Sequence, residues 1–319
     1  MKTIHGWMAG IAAALVAGAA LAQGSISIGT GGTGGVYYPL GGGMASIISK
    51  KVPGVQASAE VTGGSIDNMK LMHTGKAEMG IVQSDAAYDA TMGQDKFKDM
   101  KVPVRALMVL YPSRMHLVTT EASGIKRVAD LKGKRISSGS AGSGTEVMTF
   151  RILEAAGLDR ERDVKRERLG VSESVNALKD GKIDAFFFAG GIPTAAITDL
   201  AATPGMKMRL VDHAELADAM RKKFGPFYTR DTIPAKSYSG QETANQMTSA
   251  WNLLVAHERM PEKMAYDIVK TLWESQPELV TVHKEAMNID MANQNSTTSP
   301  IPFHPGAVRF YKEKGIALK

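Results

Sequence analysis

The sequence predicts an α/β protein of two lobes that face each other across a cleft. Three observations predict it. A short strand runs into a glycine-rich loop and then a helix over Ile26 to Leu40. A second loop of the same kind follows at a shift of 110 residues: Gly29, Gly32 and Gly34 fall on Gly139, Gly142 and Gly144, and Thr30 and Thr33 fall on Ser140 and Ser143. At a shift of 106, Gly75, Lys76 and Glu78 fall on Gly181, Lys182 and Asp184, and each set precedes an apolar strand, Met79 to Val82 or Ala185 to Phe188. Two successive copies of strand, glycine loop, helix, strand, capped helix and strand make two α/β units. Each unit presents helix N-termini at the carboxyl ends of its strands.

The first 22 residues stand apart from this pattern. Met1 to His5 carry one lysine, Trp7 to Ala19 form an apolar run too short to span a bilayer comfortably, and Ala20-Leu21-Ala22 is a small-x-small processing site. The segment reads as a signal peptide cleaved after Ala22, which places the mature protein in the periplasm. Residues 23–112 are assigned to the first lobe, 113–225 to the second, and 226–319 to a return into the first lobe with C-terminal helices. That length suffices for one large or two medium domains. The chain has no cysteine, so an ordinary apolar core must hold the fold, without disulfides or thiolate metal sites. A formal net charge of +6 is a mild excess. Its longest basic feature, Lys165 to Arg168, is interrupted by Glu167 and reads as a solvated face, so no nucleic-acid partner is expected.

Taken in order, the helix after the first loop carries Leu40, Met44, Ile47 and Ile48 at helical spacing and ends near Pro53-Gly54. Val55 to Val61 alternates as a strand. Thr62-Gly63-Gly64-Ser65 turns it into a second helix, with Ser65 as N-cap and Met69, Leu71 and Met72 on its apolar side. The strand Met79 to Val82 opens at Gln83-Ser84-Asp85, where Asp85 is expected to cap the next helix and Gln83 to meet a ligand. Val104 to Leu110 is apolar, Tyr111-Pro112-Ser113 breaks it, and His116 to Thr119 resumes as a strand, a pattern that reads as a crossing between lobes. Lys126 to Leu131 gives a turn of helix. Arg135 to Ser138 then leads into the second glycine loop and a helix carrying Val147, Phe150, Ile152 and Leu153. Ser172 starts the counterpart of the Ser65 helix, and Ala185 to Phe188 opens into Gly190-Gly191-Ile192-Pro193. Phe224 to Lys236 reads as the second crossing. Helices are expected beyond it, with Trp251, Leu254 and Val255 on one face and Met264, Ile268 and Leu272 on another. The 19 methionines are scattered and read as gap-fillers.

The chemistry these loops offer is anion binding. Glycine lets the backbone approach a ligand closely, and the helix behind it presents unpaired N–H groups. Gly29, Gly31 and Gly34 match G-x-G-x-x-G, but a dinucleotide site needs an acid about 20 positions on to hold the ribose, and the nearest, Glu60, comes too late. A Walker A lysine is also missing. No cofactor is expected. The histidines at 73, 116, 213, 257, 283 and 304 show no paired zinc spacing, so no metal is expected either, and His304 between Phe303 and Pro305 is read as satisfying backbone groups. Catalysis has little support: a hydrolase using Ser143 or Ser140 lacks a partnered base and a G-x-S-x-G elbow. A secreted host-interaction protein is the other alternative, and it leaves the duplicated glycine loops unexplained.

Four segments in this order carry a family resemblance: Gly29 to Pro39 (GTGGTGGVYYP), Val82 to Asp85 (VQSD), Gly139 to Glu146 (GSAGSGTE) and Ile301 to Gly315 (IPFHPGAVRFYKEKG). Together they resemble the TAXI family, the TRAP-associated extracytoplasmic immunogenic solute receptors, over essentially the whole chain after residue 22. The resemblance implies a type II-like periplasmic binding protein fold and a monomeric receptor. It also implies delivery of an organic anion or amino acid, with a glutamate-like carboxylate favoured, to the membrane subunits of a TRAP permease. Carried over position by position, the ligand-contacting regions fall on Thr33, Gly34 and Tyr37, on Gln83, on Ser143, Gly144 and Thr145, and on Gly191. Either Tyr37 or Tyr38 would close over the ligand. Ser143 with Glu146 also fits a capping box, which leaves Thr145 as the stronger ligand contact.

Overall fold

A single path of paired strands runs through the computed structural model, which describes residues 24–318. The expected signal peptide lies outside the described residues. The first unit comprises β1 (Gly24–Gly29), α1 (Tyr37–Lys51), β2 (Val55–Glu60), α2 (Ser65–His73), β3 (Met79–Gln83) and α3 (Ser84–Met92), followed by the long strand β4 (Val104–Thr120). The second unit comprises β5 (Arg135–Ser137), α4 (Gly144–Ala155), β6 (Lys165–Glu167), α5 (Val171–Lys179), β7 (Ala185–Gly190) and α6 (Ala195–Ala201). The chain continues through β8 (Met208–Leu210), α7 (Ala217–Phe224), β9 (Thr229–Ile233), β10 (Asn245–His257), α8 (Glu262–Glu274), α9 (Gln276–Val282) and α10 (Pro305–Glu313).

The duplication inferred from glycine spacing reappears as topology. In the first unit β1 pairs in parallel with β2 and β3; in the second β5 pairs in parallel with β6 and β7. The strand order β2-β1-β3-β10-β4-β7-β5-β6 places these triplets at opposite ends, with β10 and β4 between them. Helices pack on the sheet, giving the two-lobed periplasmic binding protein architecture. One apolar core contains Ile26, Ile28, Met44, Ile81 and Leu254; two others lie on opposite faces of the second unit. There Leu117 and Phe187 enter one core while their neighbours Val118 and Phe186 enter the other, as the two-residue period of a strand requires. Each such side chain, fully buried, contributes about 1.5–3 kcal/mol.

Several local expectations are corrected. Tyr111-Pro112-Ser113 does not break the strand: β4 runs unbroken from Val104 to Thr120. Trp251 of β10 faces Pro112 and Leu253 faces Val109, so Leu110 and Tyr111 share one opposite residue, Asn252. This is a β-bulge beside the proline, the irregularity that lets a strand carry a residue without an N–H. Phe224 to Lys236 is not the second crossing. It holds the end of α7 and strand β9, which hairpins onto β10, and β10 itself passes from β9 to β3. Trp251, Leu254 and Val255 therefore lie in a strand, not a helix. Being central, β10 is buried on both faces, and its continuous apolar run hides the alternation that would have identified it.

Two caps also differ. Gly64 is the N-cap of α2, and the Ser65 hydroxyl instead accepts the Gln83 N–H at 3.0 Å. The helix after β3 begins at Ser84, so Asp85 lies inside it and accepts hydrogen bonds from Ala86 N–H at 2.8 Å and Tyr228 OH at 2.6 Å. The basic segment around β6 is more than a solvated face, since Arg166 and Arg168 both clamp the buried Glu146 carboxylate, at 3.2 and 2.6 Å. His304 behaves as expected, its ring accepting the Gly306 N–H at the start of α10.

Candidate functional site

Four helix N-termini converge on one cavity between the two units, whose empty volume is about 580 Å³ with the open solvent at its mouth included. Val36 and Tyr37 bring the start of α1, Gly64 and Ser65 that of α2, Ser143 to Thr145 that of α4, and Gly170 and Val171 that of α5. Each helix end carries partial positive charge, worth about 0.3–1 kcal/mol to a nearby anion. None of the side chains lining the cavity is charged. The rest of the wall includes Gln83 at the end of β3, Tyr111 of β4, Phe188 and Ala189 of β7, and Ser140 with glycines of the loops.

The polar side chains around the cavity are largely committed to the protein. Tyr37 donates its hydroxyl hydrogen to Asn252 Oδ1, and burial raises its pKa well above the ordinary tyrosine value, so it stays neutral. Tyr111 is raised in the same direction by burial. Ser143 caps α4, accepting the Glu146 N–H at 3.0 Å and donating to the Ser140 carbonyl at 2.7 Å. The Glu146 side chain does not complete the capping box, being held by Arg166 and Arg168. Thr145 Oγ1 accepts the Ala189 N–H at 3.2 Å, which ties α4 to β7 and leaves the hydroxyl hydrogen available to a guest. Asp85, paired as described, and Glu285 stand outside the lining. Glu285 accepts from Ile192 N–H at 2.7 Å, Arg114 Nη1 at 2.9 Å and Asn288 Nδ2 at 2.6 Å.

Backbone contacts join the two units at the cavity. The Gly142 carbonyl accepts the N–H groups of both Ile66 and Asp67, each at 3.1 Å, and so caps α2 from the opposite unit. Ser140 donates its hydroxyl to the Gly63 carbonyl at 3.1 Å, and Ala196 N–H donates to the Gly34 carbonyl at 3.3 Å. The cleft is shut in this structure.

Of the residues singled out in the sequence, Tyr37, Gln83, Ser143, Gly144 and Thr145 line the cavity. Tyr37 rather than Tyr38 points inward, Tyr38 being 37% exposed. Thr33 is exposed on the loop, Gly34 packs against Ser172 of α5, and Gly191 lies behind Tyr111 and Glu285; these three are not part of the lining. Ser65, Tyr111, Val171 and Phe188 line it without having been named as ligand contacts. For Ser65 the signal was present in the second helix start after Gly63-Gly64. Tyr111 was readable only as a turn residue, because the bulge that places it depends on its partner strand.

Among the described residues no three His, Asp or Glu side chains gather as a metal site, and no helix is long and apolar enough to cross a membrane. Solved structures share the fold at low identity. A protein of Bordetella bronchiseptica is 18% identical with a TM-score of 0.53, the match covering 91% of this chain and 82% of the other. A protein assigned to L-cystine ABC transport in Listeria monocytogenes is 16% identical with a TM-score of 0.52, over 83% and 95%. An ancestral arginine-binding protein bound to arginine is 17% identical with a TM-score of 0.51, over 84% and 99%. The model of the NMT1-like family matches residues 28–315, nearly all of the described chain, and the protein belongs to that family.

Proposed function

We propose that this protein is a periplasmic solute receptor that captures a small organic anion of the carboxylate class and delivers it to the membrane subunits of a transporter. The observation that carries this reading is the convergence of four helix N-termini on a cavity with no charged side chain. Neutral N–H and hydroxyl donors hold an anion without the desolvation cost of a buried ion pair. The relatives in fold include a protein assigned to amino-acid transport and one bound to arginine, which supports a solute-binding role over an enzymatic one. No charged side chain lines the cavity, and the hydroxyls of Ser143 and Ser140 are tied to the loops. The leader ending at Ala22 supports export. The TAXI-like segments favour a TRAP permease as the transporter, with Tyr37, Gln83, Gly144 and Thr145 as ligand contacts.

A thermal-shift screen against amino acids, dicarboxylates, keto acids, sulfonates, short fatty acids, sugars and organic cations tests the reading. A ligand at 100 times its dissociation constant adds about 2.7 kcal/mol of stability. A shift with organic anions supports the proposal; shifts confined to sugars or cations overturn it.

A further inference from the structure

Two buried polar atoms on the cavity wall have no partner within the protein: Gln83 Oε1 and the Tyr111 hydroxyl. Gln83 is 2% exposed and Tyr111 0%. They stand on either side of β10, since Asn252 faces Gln83 on one side and the bulge carrying Tyr111 on the other. The amide nitrogen of Gln83 is held by Ser113 Oγ at 2.9 Å, which leaves its oxygen toward α4. A methyl group on Gly144 would stand 2.3 Å from that oxygen. Buried polar atoms are ordinarily paired, so these two mark places for ligand atoms.

Their chemistry narrows the guest. Gln83 Oε1 only accepts, whereas a tyrosine hydroxyl both donates and accepts. A ligand hydroxyl answers Gln83 by donating to it, and Tyr111 offers its own hydrogen to a ligand oxygen. A ketone oxygen cannot donate to Gln83. An ammonium brings a full positive charge among four helix N-termini, to a wall with no carboxylate: Asp67, behind Gly63 and Gly142, is outside the lining, as are Asp85 and Glu285, which are engaged elsewhere. Val36, Val171 and Phe188 offer apolar surface to the rest of the molecule.

Resting on the reading of the cavity as an organic-anion site, the geometry points to a hydroxy-carboxylate as its ligand. The carboxylate sits on the helix N-termini, the hydroxyl donates to Gln83, Tyr111 donates to a ligand oxygen, and the ligand carries no ammonium group.

Titration calorimetry with the purified protein tests this on three carbon skeletons, each offered as hydroxy, keto and amino acid: 2-hydroxyglutarate, 2-oxoglutarate and glutamate; 3-phenyllactate, phenylpyruvate and phenylalanine; 2-hydroxy-4-methylpentanoate, 4-methyl-2-oxopentanoate and leucine. In whichever series binds, the hydroxy acid is expected to bind at least about tenfold tighter than the keto acid and about a hundredfold tighter than the amino acid. Gln83→Leu is expected to erase the hydroxy-over-keto preference while the keto acid still binds, and Tyr111→Phe to weaken the hydroxy and keto acids alike. An amino acid binding as tightly as its hydroxy counterpart overturns the inference, as does a hydroxy-over-keto preference unchanged in Gln83→Leu. Binding of none of the nine acids also overturns it. The receptor reading survives that result if a sulfonate or fatty acid binds, and falls if only sugars or cations do.

Discussion

Tyr37 at the start of α1 donates its hydroxyl hydrogen to Asn252 Oδ1 in the middle of β10, so the first glycine loop is fastened to the strand that runs between the two units. Asn252 Nδ2 has no partner, and the bond to Tyr37 is the one that its buried side chain makes. Tyr37→Phe removes the donor, leaves the amide unsatisfied, and is expected to lower stability by about 1–3 kcal/mol. Denaturant titration of the variant checks it; an unchanged midpoint would mean that water replaces the phenol.

Thr145 fills two roles, and substitutions separate them. Thr145→Ala strands the buried Ala189 N–H and is expected to cost about 1–2 kcal/mol of stability as well as ligand affinity. The cost in stability was not legible in the sequence, where Thr145 offered only a ligand contact. Thr145→Ser keeps the hydroxyl and should restore most of both. Melting curves and a dissociation constant on the pair decide it; a serine variant as weak as the alanine one would assign the effect to the lost methyl, which packs against Gly139.

The Gly142 carbonyl holds the cleft shut from a residue at φ +76°, and a Cβ there would stand 2.1 Å from Asp67 Oδ1. Gly142→Ala should therefore oppose closure, raising the ligand dissociation constant about tenfold or more, chiefly through faster release. Stopped-flow dissociation is the measurement, and a variant that releases ligand at the wild-type rate would show that this contact does not hold the closed state.

His116 and His213 set the acid limit of stability. Burial lowers both to about 4, from 6.5. His116 Nδ1–H donates to the Arg114 and Phe188 carbonyls while its Nε2 accepts from Tyr238 OH, leaving no room for a second proton. Because the unfolded chain takes up protons below 6.5 and the folded chain does not until about 4, stability is present above 6.5 and lost as pH falls through that window. Each histidine adds a slope approaching 1.4 kcal/mol per pH unit. Asp89 works the other way: buried beside Asp85 and Asp95 around one guanidinium, Arg151, it is raised to about 6, so between 6 and 3.8 the folded state gains a proton first and is favoured. The net expectation is a fall in unfolding free energy from pH 6.5 to 4. Denaturant midpoints across that range, with His116→Gln showing a shallower slope, provide the check; an identical slope would remove His116 from the account.

The local grammar of the chain was enough to read the paired units. A glycine loop between a strand and a helix is written in neighbouring residues, and its recurrence at a fixed shift identified the duplication that the sheet displays as β2-β1-β3 and β6-β5-β7. Gln83 was readable from its own place at the mouth of a strand, whereas Tyr37, Ser143, Gly144 and Thr145, which also line the cavity, came from the resemblance carried by the TAXI-like segments. What only the tertiary structure decided are relationships between distant segments. A central strand buried on both faces carries no alternation, so β10 passed for a helix. A bulge exists only against a partner's register, so Tyr111 passed for a turn. A helix end is capped by whatever approaches it in space, and Gly142 reaches α2 from the other unit. Periodicity records which faces of a segment are buried, and it is silent about which partner buries them.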